Sequence, residues 1–333
     1  LPIWFIKNLH ITDIADEGRG MGRDNGLVVF VEQAVPGDVV DVKVDKKKNS
    51  FAAGRIAALI EPSPYRVEPF CEHFGICGGC KWQYLDYRQQ LQFKQNQVFE
   101  TLTRIGKVEN LKVSPIIGSD NITAYRNKLD FTFSDKRYLL SLDEGIENKN
   151  MNALGFHIPR RFDKILDINT CYLMDDLNNK IRNFVRDFCL ANQYTFSGIK
   201  HHSGLMRTLI IRTTTLGECM VIVVFRDDDT EKRIGLLEAL KTNFSQITSL
   251  IYVINNKKND VISDLPFECY SGLPYITEQL EDLKFRIGPH SFFQTNSFQT
   301  LKLYQVVRSF AARTGNENVY DLYTGTEIGR AHV

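Results

Sequence analysis

Three cysteines fall within ten residues in Cys71-Glu-His-Phe-Gly-Ile-Cys77-Gly-Gly-Cys80, and no other stretch limits the folding of this chain so strongly. Gly75, Gly78 and Gly79 let the backbone turn tightly enough to aim three sulfurs inward, as a metal or iron–sulfur cluster requires. A tetrahedral or cubane site needs a fourth ligand. Cys171 is the expected donor, because it follows the short apolar segment Ile165-Leu-Asp-Ile168 and precedes a helical pattern, which puts it in a loop free to fold back. Cys189, Cys219 and Cys269 lie inside apolar runs and read as core thiols. Seven cysteines among 333 residues do not make a disulfide-stapled secreted domain. Zinc sites commonly pair two short cysteine knuckles, whereas one triplet and one distant cysteine suit a cubane better.

A chain of 333 residues exceeds one compact core, so two or three domains are expected. The formal net charge is +1, and a nucleic-acid partner would therefore be held by local basic clusters and not by an overall field. No apolar run is long enough to span a bilayer, and the opening Leu-Pro-Ile-Trp-Phe-Ile lacks a basic start and a cleavage site. A cytoplasmic protein with no membrane attachment is expected, and a reduced thiol cluster fits that compartment.

Residues 3–60 run in short β-like segments at 7–14, 26–30, 38–44 and 52–59, with Gly-Arg-Gly-Met-Gly and Pro36-Gly37-Asp38 as punctuation. About five strands in such a span predict a small OB-like barrel, a fold that commonly presents loops and one face to RNA. Arg19, Arg23 and Lys46-Lys47-Lys48 could contact phosphates, but acidic residues of the same segment balance them in number, and the lysine run reads equally well as a solvated hairpin tip. Residues 61–65, with two prolines, form an extended linker. Leu91, Val98, Leu102 and Ile105 then mark a narrow apolar stripe on a helix over 84–105.

Alternation over 129–134, with further β-like runs at 137–142, 153–158, 205–213, 218–225 and 250–254 and helices at 173–192 and 231–241, predicts an α+β middle domain on a largely antiparallel sheet. Residues 143–152 read as a hairpin tip. From 283 the pattern becomes strand (283–287), loop (289–296), helix (297–313) and strand (318–322) ending in Asp321-Leu-Tyr-Thr-Gly325-Thr326, which is how the first unit of a nucleotide-binding α/β sheet begins. A lone glycine turn after a strand is by itself equally an ordinary turn.

Taken together, Cys-x5-Cys-x2-Cys with the remote Cys171, then Tyr125-Arg-Asn-Lys128, then Ser291-Phe-Phe-Gln-Thr-Asn296, in that order, resemble the RNA uracil-5-methyltransferase family. The resemblance implies an N-terminal TRAM barrel (1–61), a linker and iron–sulfur loop (62–82), a helix packing on the methyltransferase domain (83–112), a middle RNA-binding domain holding the fourth cluster ligand (113–282), and the start of a Rossmann-like methyltransferase domain that binds S-adenosylmethionine (283–326). It further implies a [4Fe–4S] cluster on Cys71, Cys77, Cys80 and Cys171, cofactor contacts from Gln294 and Tyr323, and RNA contacts from Arg126, Lys128 and Phe292, the last beside a flipped uracil. Phe292 and Phe293 read equally as core aromatics, Gln294 as a turn residue, and Arg126 and Lys128 as exposed strand-end charges. The implied substrate is 23S ribosomal RNA, with transfer RNA as the relative, acted on by a monomer.

In that family a cysteine thiolate adds to carbon 6 of uracil, the resulting enolate takes the methyl group, and a base removes the proton at carbon 5. Nucleophile and base are expected beyond residue 326, where Glu327 replaces the second glycine of Asp-x-x-x-Gly-x-Gly. Residues 327–333, Glu-Ile-Gly-Arg-Ala-His-Val, match what a common sequencing adapter encodes in this frame, so they are expected to be a non-native tail and the chain a truncated, inactive piece. An RNA-binding protein with a purely structural cluster is the alternative. A radical enzyme with a TRAM domain comes third, because such enzymes typically space their cysteines Cys-x3-Cys-x2-Cys.

Overall fold

The computed structural model describes residues 4–140 and 150–312, together with 314, 315, 317, 318, 320 and 322. Tyr323, Asp321, Gly325 and residues 327–333, on which the glycine turn, a cofactor contact and the expected tail depend, lie outside the described residues, as does most of the expected hairpin tip. The chain divides into two compact units, Leu1–Gly118 and Ser119–Val333. Among the described residues no helix is long and apolar enough to cross a membrane.

In the first unit β1 (Trp4–Ile14), β2 (Gly20–Asp24), β3 (Leu27–Glu32), β4 (Val39–Lys47) and β5 (Phe51–Glu61) close into a barrel in the order β1-β2-β3-β5-β4. Alternate residues such as Leu9, Val29, Val31, Val40 and Ala52 fill its interior. The sequence reading takes the glycine-rich stretch before β3 as a turn, yet it is strand β2. A Cβ on Gly22 would stand 2.4 Å from the His10 carbonyl oxygen and one on Gly20 would stand 2.7 Å from that of Ala34. Glycine is needed there for close approach of backbones, which leaves no hydropathy pattern to read.

Below the barrel, buried Asp38 accepts hydrogen bonds from the amides of Val35 (2.7 Å) and Ser63 (2.8 Å) and pairs with Arg66. The helix α1 (Tyr87–Glu100) is capped by the Asp86 carboxylate, which accepts from the Arg88 and Gln89 amides, and it runs into a wide turn at Thr101–Ile105. None of its residues is buried. The expected apolar stripe is held only at its start, where Leu91 meets Gly118 and the Gln95 side chain accepts from the Ile116 amide at 2.8 Å.

The second unit is built on a seven-stranded sheet. Its strands are β6 (Lys128–Ser134), β7 (Ala153–Ile158), β8 (Arg161–Asp167), β9 (Met206–Thr213), β10 (Cys219–Phe225), β11 (Ile247–Ile254) and β12 (Glu268–Gly272), in the order β12-β11-β10-β9-β6-β7-β8. The pair β10–β11 is parallel and the others are antiparallel. A parallel neighbour requires a crossover, and the helix α3 (Thr230–Asn243) supplies it. Every residue of β10 is buried, as expected for a strand covered on both faces. The helix α2 (Asp176–Ala191) packs on β7 and α3.

A hairpin of β13 (Ile276–Leu280) and β14 (Leu283–Ile287) lays Ile276, Leu280, Phe285 and Ile287 on Ile210, Met220, Ile222 and Val224, so hairpin and sheet share one core. The helix α4 (Ser297–Ala311) follows, capped by Asn296, whose side chain accepts from the Gln299 amide. Strands β8 and β13 have no counterpart in the sequence pattern, because their apolar residues are interrupted by charges, whereas β12 falls on the strand-like run around Cys269. A strand is also expected at 137–142; of these, residues 137–140 are described, and there Arg137 forms an isolated bridge to Ile165, while 141 and 142 lie outside the described residues. A closed five-stranded barrel followed by an α/β unit agrees with the expected fold class.

Candidate functional site

The two motifs that flank the middle of the chain meet through one side chain. Asn127, at the entry to β6, donates from Nδ2 to the Gln294 carbonyl (2.8 Å) and to Ser297 Oγ (2.9 Å). Its own amide donates to the Thr295 carbonyl at 2.8 Å, and its carbonyl accepts from the Thr213 amide at 2.9 Å. Ser297 Oγ in turn donates to Glu278 Oε2 at 2.6 Å. Glu278 is 1% exposed and also accepts from the Thr215 amide and hydroxyl and from the Gln279 amide. A buried carboxylate satisfied in this way holds its neighbours in one arrangement, because any rotation would strand a donor or acceptor in the interior.

A second anchor closes the same loop. Arg212, on β9, is buried and donates through Nη1 to the carbonyls of Gly288 (2.9 Å) and Ser291 (3.0 Å). Burial lowers its pKa to about 10, which still leaves it charged at neutral pH. With the loop pinned at both ends, Phe293 enters the core beside Phe285 while Phe292 stands 66% exposed. The two phenylalanines therefore divide between the core and the surface. Gln294 is half-buried, with its main chain fixed by Asn127.

The two motif cations are less open. Arg126 Nε lies 3.4 Å from the Lys128 carbonyl, and Lys128 pairs with Asp130 at 3.2 Å. The residues that organise the loop are Asn127, Glu278 and Arg212, none of which the sequence reading selects. A charge inside the apolar run of β9 is the signal that marks Arg212, and Glu278 has no comparable mark.

In the first unit the cysteine loop is folded by its own backbone. The Phe74 amide donates to the Cys71 carbonyl (3.0 Å) and the Cys77 amide to the His73 carbonyl (2.9 Å). Gly75 sits at φ +86, a turn conformation that favours glycine. Phe74 and Trp82 pack against Ile14, Val35, Tyr84 and Leu85 beneath the loop. The Gly79 amide points at Cys77 Sγ at 3.4 Å, a hydrogen bond of the kind that supports a bound thiolate. Burial raises the Cys71 thiol pKa, the His73 amide opposes it, and the nearby Cys80 adds to the rise.

Cys171 is in the second unit and is not in a loose loop. It is 7% exposed, its amide donates to Asn179 Oδ1 at 2.8 Å, and Asn179 Nδ2 returns a bond to its carbonyl at 3.3 Å. The reason is the start of α2, which places Asn179 and Arg182 against it. Arg182 is fully buried and its pKa falls to about 10, chiefly through desolvation and against the pull of Cys171. Cys189 and Cys219 are core thiols as expected, but Cys269 is exposed on the edge strand β12. The charged Glu268 beside it in sequence is the local sign of that exposed position.

The donor chemistry of three thiols in one short loop fits an iron–sulfur cluster. Among the described residues, however, no group of three or more His, Cys, Asp or Glu side chains stands in metal-holding geometry.

A closed barrel followed by an α/β unit sets the architecture, and similarity to known proteins supplies the class, that of RNA methyltransferases. Residues 6–57 match the TRAM domain. The chain is 48% identical over 318 residues to an uncharacterised RNA methyltransferase of Bacteroides thetaiotaomicron, covering 94% of this chain and 70% of that protein. It is 50% identical over 325 residues to one of Porphyromonas gingivalis, covering 96% and 70%. The crystal structure of Pyrococcus abyssi tRNA (uracil-54, C5)-methyltransferase in complex with S-adenosyl-L-homocysteine superposes with a TM-score of 0.64 at 26% identity, over 91% of this chain and 64% of that one. The chain belongs to the RNA uracil-5-methyltransferase family.

Proposed function

We propose that this protein takes part in S-adenosylmethionine-dependent methylation of carbon 5 of uracil in RNA, with 23S ribosomal RNA as substrate, acting as a cytoplasmic monomer. The observation that carries the reading is the Asn127 junction, which ties the Tyr125-Arg-Asn-Lys128 motif to the Gln294 loop and the start of α4 with three hydrogen bonds. Relatives described as RNA methyltransferases and a solved relative holding S-adenosyl-L-homocysteine support it.

S-adenosylmethionine supplies an electrophilic methyl group. Gln294, whose main chain is pinned by Asn127, would contact it through its side-chain amide, and Tyr323, outside the described residues, is assigned to the same cofactor by the family resemblance alone. Phe292, exposed at the loop surface, lies beside a uracil rotated out of its stack, and Arg126 and Lys128 contact phosphates at the entry to β6. The target carbon becomes nucleophilic only after a thiolate adds to carbon 6. None of the seven cysteines is assigned that role. Burial raises the pKa of Cys189 and Cys219, the latter to about 12, and it also raises that of Cys269, whereas an attacking thiolate needs a lowered value. Cys71, Cys77, Cys80 and Cys171 are proposed to hold a [4Fe–4S] cluster, supported by the three-thiol loop and by the Gly79 amide at Cys77.

Deleting the gene and measuring nucleosides by mass spectrometry tests the activity. Loss of 5-methyluridine from 23S ribosomal RNA alone is expected. Loss from transfer RNA alone overturns the ribosomal assignment, and loss from neither overturns the activity. For the cluster, anaerobically purified protein should carry iron and sulfide that Cys171→Ala and Cys77→Ala each deplete; unchanged iron in both variants overturns the ligand set.

A further inference from the structure

A cavity of 550 Å³ lies in the second unit, where β6 ends and the chain leaves α2, and none of its lining residues belongs to the Asn127 junction. Asp135 is its one charged wall residue. The Asp135 amide donates to the Ser197 carbonyl at 3.0 Å, but its carboxylate makes no hydrogen bond and no ion pair among the described residues. Oδ1 is closed off from water and meets no donor. A carboxylate so placed is destabilised until a cation or a donor joins it.

The walls around it are fixed by their own hydrogen bonds. The Leu205 and Met206 amides donate to the Thr195 carbonyl at 3.0 and 2.9 Å, and the Leu205 amide also donates to Thr195 Oγ1 at 2.9 Å. Gly204, at φ +86, lets two backbones close up, since a Cβ there would stand 2.0 Å from the Phe196 carbonyl oxygen. The Tyr194 hydroxyl is turned away to the Lys232 carbonyl at 2.6 Å. Phe196 is 3% exposed and meets Phe133 edge to face at 5.0 Å, and Tyr194 is buried as well, so neither ring offers an open face. What remains for a ligand is the carboxamides of Asn152 and Gln193, the Ser203 hydroxyl and the aliphatic Leu190, with no lysine, arginine or histidine among the described lining residues.

We propose that this cavity binds a small aliphatic amine, whose ammonium pairs with Asp135 and whose methylenes lie along Leu190. The inference goes beyond the methylation reading and does not depend on it. An ammonium carries three donors and no acceptor, which suits a carboxylate flanked by carboxamide oxygens. An anion would meet a like charge and no cation. An apolar ligand would leave the carboxylate unpaired, a nucleobase would find no ring to stack on, and a divalent metal ion calls for more oxygen ligands than one carboxylate and a few amides supply.

Isothermal titration of the full chain with the linear diamine putrescine, at fixed ionic strength, tests the site, with butanediol of the same length, magnesium chloride and guanosine in parallel. Putrescine alone should bind. Asp135→Asn should bind it about tenfold or more weakly, yet melt no lower than wild type without amine, because no hydrogen bond or ion pair of the side chain is lost. Gln193→Lys, at an exposed position, sets an ammonium beside the carboxylate and should also remove binding, which keeps the test decisive even if Asp135→Asn fails to fold. No binding of putrescine by wild type, equal binding by both variants, or butanediol or magnesium binding as tightly all overturn the site. Guanosine binding that depends on Asp135, without putrescine binding, overturns the amine in favour of a nucleobase.

Discussion

Replacing Asn127 by alanine removes the donor that joins β6 to the Gln294 loop. Two side-chain hydrogen bonds disappear, to the Gln294 carbonyl and to Ser297 Oγ, while the main-chain bonds to Thr295 and Thr213 persist. Each lost bond costs about 1 kcal/mol net, and leaving the Gln294 carbonyl without its partner adds up to about 2 kcal/mol, so a total of about 2–4 kcal/mol is expected. In a unit of this size that lowers the melting temperature by about 5–15 °C. Hydrogen exchange should speed up at the Ser291 amide, whose bond to the Gly288 carbonyl depends on the loop being held.

Asn127→Asp keeps the shape and reverses the polarity. The introduced carboxyl can donate only while protonated, so its folded pKa must rise above the ordinary value of about 3.9. A raised folded pKa means that the variant is closest to wild type at acid pH and loses stability as pH climbs from that ordinary value to the raised one. Melting followed by circular dichroism across this range measures the effect. If both variants stay within about 0.5 kcal/mol of wild type at neutral pH, as surface substitutions do, the junction is not the support described.

Gly22→Ala should destabilise the barrel by about 1–3 kcal/mol through the contact with the His10 carbonyl, while Gly26→Ala, at φ +85 in open space, should cost only about 1 kcal/mol; urea melts of the two variants compare close approach with turn strain. Burial raises the Tyr84 phenol to about 12, and its hydroxyl donates to the Gly18 carbonyl at 2.6 Å. Its stabilising contribution is full below the unfolded pKa of about 10 and is lost as pH rises towards the folded value, so alkaline melts of Tyr84→Phe should show less loss over that window than wild type. A thiol reagent applied to the native protein should label Cys269 quickly and reach Cys189 and Cys219 only on unfolding; fast labelling of either buried thiol would contradict the core packing.

Patterns that report exposure to water were legible before any fold was known. The continuous apolar run of β10 and the alternation of β6 each report how the strand is covered, because burial follows the period of the element. The cysteine triplet and the motif order were legible for a different reason, being local in the chain. The glycine strand β2 and the charged strands β8 and β13 were not, since close backbone approach and mixed polarity erase the period.

The residue sequence thus determined the two classes of unit, the barrel's core and the family, all of which rest on local order and periodic burial. Only the tertiary structure decided that Asn127 would hold a carbonyl 167 positions away and that Cys269 would lie on an edge. A hydrogen bond or an ion pair depends on where two distant groups come to rest, and packing sets that position after the local pattern has done its part.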